Sequence, residues 1–148
     1  VCVKKIALSL SLLLASDAAT AGIHGGVGLS PFGASQSARS GWGFSFFLDY
    51  LPGEEPEARF VFLDVGILGS WSGGGDTFLS SVVQGRIAKN FWAGARAGLQ
   101  TVNDGGASAG FSALTFSLFN PARPFEATVD VGVNGGAFSR FSLGYRFF

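Results

Sequence analysis

The chain reads as an all-β protein, an eight-stranded antiparallel up-and-down barrel that crosses lipid with its strands. Three observations carry that expectation. Eight short stretches alternate apolar and polar residues. Charges inside those stretches fall opposite the apolar face. No run of about 20 apolar residues offers a spanning helix, although 47% of the chain is hydrophobic.

The first 21 residues are set apart from the fold, leaving 22–148 as one domain by length. Lys4 and Lys5 form a positive start, Ile6 to Ala15 an apolar and small-residue run, and Ala19-Thr20-Ala21 a small-residue cleavage site. That three-part build is a secretory signal peptide, with Ser16-Asp17-Ala18 as a weaker alternative cut. The other reading, a short membrane anchor, is disfavoured because the run is too short to span a bilayer. Val1 in place of Met reads as an alternative start codon or a truncated sequence. The single cysteine, Cys2, leaves with the signal, so no disulfide, thiol nucleophile or cysteine metal site is expected in the mature chain. Removing Lys4, Lys5 and Asp17 leaves eight basic and nine acidic residues, and no basic stripe points to nucleic acid.

Successive side chains on a strand point to opposite faces, so residue parity assigns them. The first strand sets Ile23, Val27 and Leu29 against His24, Gly26, Gly28 and Ser30. The second sets Trp42, Phe44, Phe46, Leu48 and Tyr50 against Gly43, Ser45, Phe47 and Asp49. The third sets Val61, Leu63, Val65 and Ile67 against Phe60, Phe62, Asp64 and Gly66; it is apolar on both faces, so its phase rests on Asp64. The fourth sets Leu79, Val83 and Ile87 against Ser80, Val82, Gln84 and Arg86. The fifth sets Ala93, Ala95, Ala97 and Leu99 against Gly94, Arg96, Gly98 and Gln100. The sixth sets Leu114, Phe116 and Leu118 against Ala113, Thr115 and Ser117. The seventh sets Ala127, Val129, Val131 and Val133 against Glu126, Thr128, Asp130 and Gly132. The last sets Phe141, Leu143, Tyr145 and Phe147 against Arg140, Ser142, Gly144 and Arg146.

Breakers separate the stretches: Pro31 to Arg39, Pro52 to Pro56, Ser72 to Asp76, Lys89-Asn90, Asn103 to Gly106, Asn120 to Pro124 and Asn134 to Gly136. All are short enough for hairpins, so sequence neighbours become spatial neighbours. Each strand is near the length of about 9 to 11 residues that crosses a bilayer at a tilt.

Asp49, Asp64, Arg86, Arg96, Glu126, Asp130, Arg140 and Arg146 all take the face opposite the apolar one. An Arg or Lys facing lipid at the midplane costs about 2–4 kcal/mol, so these charges belong inside, as a paired network in the bore. Arg59 has the other parity, at a strand start beside the acidic turn. A soluble sandwich or lipocalin-like barrel would use the same alternation with its faces reversed. Lipid is favoured by aromatics at the strand ends, with Trp42, Trp71 and Phe138 at one rim and Tyr50, Phe91, Phe119, Phe125, Tyr145 and Phe147 at the other. It is also favoured by a polar face rich in Gly and Ser, with Lys89 the only lysine after the signal.

The ending Phe141-Ser142-Leu143-Gly144-Tyr145-Arg146-Phe147-Phe148 resembles the C-terminal strand of Gram-negative outer-membrane β-barrels. In that family a terminal aromatic with alternate apolar residues before it is the signal to the barrel-assembly machinery. Here the alternation runs through Phe147, one residue before the end. With the signal peptide and eight strands, the chain resembles the small OmpA/OmpX-type barrels. The resemblance implies a bacterial outer-membrane location, both termini and the turns at Pro52 to Pro56, Lys89-Asn90 and Asn120 to Pro124 on the periplasmic side, and the loops near 31–40, 70–76, 103–109 and 134–137 outside. Those outer loops are short for a receptor or adhesin.

The functional expectation is a non-enzymatic barrel with a plugged, ion-paired interior, no cofactor, and outer-membrane lipid and the assembly machinery as partners. Two alternatives are weighed. Some eight-stranded outer-membrane barrels are lipid A deacylases or palmitoyltransferases that use a His–Ser pair or a His, Asp and Ser. His24 is the only histidine and would need a nucleophile and an orienting acid beside it. In a narrow channel, Arg86, Arg96, Arg140 and Arg146 would line a path with Asp49, Asp64 and Asp130. The Gly-rich Ser72 to Asp76 and Asp104 to Gly106 do not lie between a strand and a helix, so they make no phosphate cradle. Asp76 and Asp104 are too few oxygens for a Ca²⁺ site.

Overall fold

The computed structural model describes residues 22–34, 39–71, 74–102, 108–133 and 137–147. The expected signal peptide, the tips of the expected outer loops, including Asp104, and Phe148 lie outside the described residues. Eight strands follow in order: β1 (Ile23–Ala34), β2 (Arg39–Tyr50), β3 (Ala58–Ser70), β4 (Gly75–Ala88), β5 (Phe91–Val102), β6 (Ser108–Phe119), β7 (Phe125–Val133) and β8 (Ala137–Arg146). Each pairs antiparallel with its sequence neighbours, and β8 pairs back onto β1, so the sheet closes. Closure leaves no strand edge to be satisfied by water, which is what a sheet in hydrocarbon requires.

The strands run further than the breakers foretold at the loop end. β1 continues through Pro31 to Ala34, and β2 already begins at Arg39. Proline has no N–H for a ladder. The β1–β8 seam accommodates it by skipping from the Leu29–Leu143 pair to the Phe32–Arg140 pair. Ser30 and Ser142 meet across that gap, hydroxyl to hydroxyl, at 3.0 Å.

Alternation puts aliphatic and aromatic side chains on the outside. Ile67, Leu114 and Leu118 are each about 60% exposed, while Asp49, Thr115, Ser117 and Asp130 are fully buried. Aromatic contacts mark both rims of this outer surface. Trp42 and Trp71 meet edge to face at 6.3 Å at the loop end, and Phe125, Tyr145 and Phe147 form a chain of contacts at 5.2 and 5.8 Å at the turn end.

Three assignments change. In β3 the phase slips: Asp49 pairs with Val61 while Leu48 pairs with Leu63, and Phe62 and Leu63 together oppose Ser81 of β4. This bulge reverses the faces of residues 59–62, so Arg59 and Val61 turn into the bore while Phe60 and Phe62 turn out. Phe119 and Phe138 are not rim residues. By alternation from Phe116 and Leu118, Phe119 points inward and stacks on Trp92 at 4.7 Å. Phe138 shares the inward phase of Arg140 and packs on Leu68, Phe78 and Phe111.

Interior glycines make room for these rings. A Cβ on Gly66 would lie 2.8 Å from Phe78, and one on Gly98 would lie 2.7 Å from Phe111. Either contact is closer than carbon atoms tolerate. Rings therefore fill space that the opposite strand vacates, which packs a barrel too narrow for two large side chains at one level.

Candidate functional site

Eight of the interior charges sort into two groups, each with two acids and two arginines; a further buried acid, Asp76, accepts from Gln100 Nε2 at 2.7 Å. Nearer the turn end, Arg59 Nε donates to Asp49 Oδ2 at 2.6 Å and its Nη2 to Glu126 Oε2 at 2.8 Å. Arg146 lies beside the same carboxylates, with Nε 3.4 Å from Glu126 Oε2 and 3.9 Å from Asp49 Oδ2. Nearer the loop end, Asp130 accepts from Arg96 Nε at 3.2 Å and from Arg140 Nε at 2.9 Å. Asp64 Oδ2 accepts from Arg96 Nη1 and, at 3.4 Å, from Arg140 Nη2. Asp130 and Arg140 are direct cross-strand partners on β7 and β8, so hairpin register alone brings them together.

Aromatic and amide groups complete the filling. The Arg59 guanidinium sits 4.6 Å from the Phe119 ring centre and 5.6 Å from Phe47. Arg146 sits 4.3 Å from Phe119, and Arg140 4.8 Å from Phe78. Gln84 donates to Ser117 at 2.7 Å, and Ser117 contacts Thr128 at 2.8 Å, a polar chain from β4 across to β7. Leu51, Trp92 and Phe119 cluster at the turn end, and Leu68, Phe78 and Phe111 at the loop end. The space left in the middle is about 30 Å³, room for one or two waters.

Seven of the eight charges named from parity line this bore. Arg86 does not join them: it lies at a register shift between β4 and β5, half-buried at the rim, 3.5 Å from the exposed Glu57. Arg59 takes its place, so the two paired groups together still hold four acids and four arginines, with one member exchanged. Arg59 was misplaced because its neighbours Phe60 to Leu63 are all apolar, so no polar residue marks the slip. An arginine out of phase with its strand was the available signal. Gln84 and Thr115, read on the polar face, are both buried; Trp92 was assigned to neither face, although it shares the parity of Arg96, which places it inside.

His24 Nδ1 lies 3.5 Å from Asp49 Oδ1, and that buried nitrogen has no hydrogen-bond partner. Among the described residues no serine or threonine hydroxyl is hydrogen-bonded to this pair, as acyl transfer would require. Among the described residues no group of three or more His, Cys, Asp or Glu side chains is placed to hold a metal ion. Phe141, Leu143, Tyr145 and Phe147 of the C-terminal strand all face outward.

A closed meander with apolar residues outside and paired charges inside is a transmembrane β-barrel. No protein-family profile and no curated protein sequence matches the chain. Among solved structures it is similar to a de novo designed transmembrane β-barrel, at TM-score 0.62 and 12% identity, over 83% of this chain and 94% of the design. That likeness shows the fold. The attachment invasion locus protein Ail of Yersinia pestis also matches, at TM-score 0.38 and 14% identity, over 85% of this chain and 97% of Ail.

Proposed function

We propose that this chain is a non-enzymatic β-barrel of a bacterial outer membrane, with a structural or interaction role. In this reading, a signal peptide cleaved after Ala21 exports it, and the assembly machinery engages its C-terminal strand through Phe141, Leu143, Tyr145, Phe147 and Phe148. The observation that carries the reading is the filled bore: two charge-balanced arginine–carboxylate groups, with apolar clusters around Val61, Trp92 and Phe78, leave about 30 Å³. Such an interior supports a plug over a channel. The outward aliphatic surface and the aromatic rims support residence in lipid.

Outer-membrane fractionation followed by heat-modifiability on a gel tests it. A barrel of this kind migrates fast and compact until boiled. Recovery as a soluble periplasmic protein, or regular conductance steps in a planar bilayer, would contradict it.

A further inference from the structure

At the turn end the barrel wall and the β6–β7 turn enclose a mouth of about 200 Å³, bordered by His24, Arg123 and Arg146. Arg146 is the anomaly in the interior network. It is 5% exposed, yet Nε, Nη1 and Nη2 are all buried without a hydrogen-bond acceptor, whereas Arg59, Arg96 and Arg140 each donate to a carboxylate. Its contacts with Glu126 and Asp49 are charge proximity at 3.4 and 3.9 Å, not hydrogen bonds. A buried guanidinium that donates nothing is costly.

We propose that this mouth binds a phosphate-type oxyanion, with Arg146 as the buried donor. Planar guanidinium donors match two oxygens of such an anion at once. Charge favours it as well. Asp49 and Glu126 are matched by Arg59 and Arg146, and among the described residues no carboxylate pairs with Arg123, so it adds a positive charge at the opening; His24 adds a ring N–H. The turn that carries Arg123 is held in place: Asn120 accepts from Ala122 N and Arg123 N, both at 2.9 Å, and Pro124 O accepts from Arg146 N at 2.7 Å. Pro121 and Pro124 restrict it further. A site held ready in this way gives up little ordering entropy on binding. The anion is either free phosphate or the phosphate of a lipid headgroup reaching around the rim.

The test uses the full barrel in neutral maltoside micelles, with the arginine Nε–H signals followed by NMR as inorganic phosphate replaces chloride at constant ionic strength. The Arg146 signal is expected to move saturably. Arg123→Gln is expected to weaken the response by roughly threefold to tenfold, the loss of one charge-assisted contact, and His24→Gln with Arg123→Gln to weaken it further. These two positions serve because Arg146→Gln tests both binding and folding. The same signals are then read in the maltoside micelles with and without added phosphatidylglycerol, in the absence of free phosphate. Saturation by inorganic phosphate identifies a soluble ligand; a shift that requires the anionic lipid identifies a headgroup. No saturable movement of Arg146 in either setting, or a response undiminished in the double variant, would overturn the proposal.

Discussion

Arg59 reaches Asp49 at 2.6 Å across the β2–β3 pair because Phe62 and Leu63 together occupy the place opposite Ser81. If every residue from Arg59 to Val65 alternated regularly, with no two sharing one place, Arg59 would take the phase of Val65 and Ile67 and point at lipid. The bulge thus converts an outward arginine into the cation that holds Asp49 and Glu126. Bulges commonly re-aim a side chain in this manner.

Arg59→Ala should therefore break the barrel's turn-end network. Two carboxylates lose their closest donor, a loss of about 3–5 kcal/mol for a buried pair. Deletion of Phe62 should not have this effect, because Leu63 then follows Val61 in plain alternation and Arg59 stays in the bore. Urea unfolding of the refolded barrel, with the gel shift as a fold check, is expected to show a loss of that size or no barrel at all for Arg59→Ala. An unchanged unfolding midpoint for Arg59→Ala would mean that the inward arginine has no such role.

Arg96→Ala and Arg86→Ala separate interior from rim. Arg96 holds Asp64 and Asp130, both buried, and its truncation leaves them short of a donor, at about 3–5 kcal/mol. Arg86 faces Glu57 at 3.5 Å in partial contact with solvent, where such pairs contribute about 0–1 kcal/mol. Comparable losses for the two variants in the same unfolding experiment would contradict the placement.

The stacked pair Trp92 and Phe119 closes the turn end with Leu51. Trp92→Ala should cost about 3–5 kcal/mol, as truncating a large buried ring does. The exposed Trp71→Ala should cost far less in the same measurement. Equal effects would remove Trp92 from the interior packing.

Parity was enough to read most of the architecture, because charges at Asp49, Asp64, Arg96, Glu126, Asp130, Arg140 and Arg146 mark the inner phase of five strands. It failed where phase is unmarked or broken. Residues Phe60 to Leu63 are apolar throughout, so the slip that turns Arg59 inward leaves no trace in hydropathy. Arg86 has the inward parity, but a register shift at the end of β4 leaves it at the rim beside Glu57. Phe119 and Phe138 were read by their position near strand ends, although their own phase pointed inward. The mouth bordered by Arg123, His24 and Arg146 joins β1, a turn and β8. Only closure of the barrel brings those three together, and no local pattern encodes it.

The orientation of the sheet is the claim on which everything else rests, and spin-label accessibility measures it directly. Single labels at Val83, Leu114 and Val131, all more than half exposed on the outer surface, are introduced into the bilayer-embedded barrel. The expected result is high collision with oxygen, which concentrates in hydrocarbon, and low collision with a water-soluble nickel complex at all three sites. Strong nickel collision and weak oxygen collision at Leu114 and Val131 would show those faces to be in water, contradicting a barrel with its apolar surface in lipid.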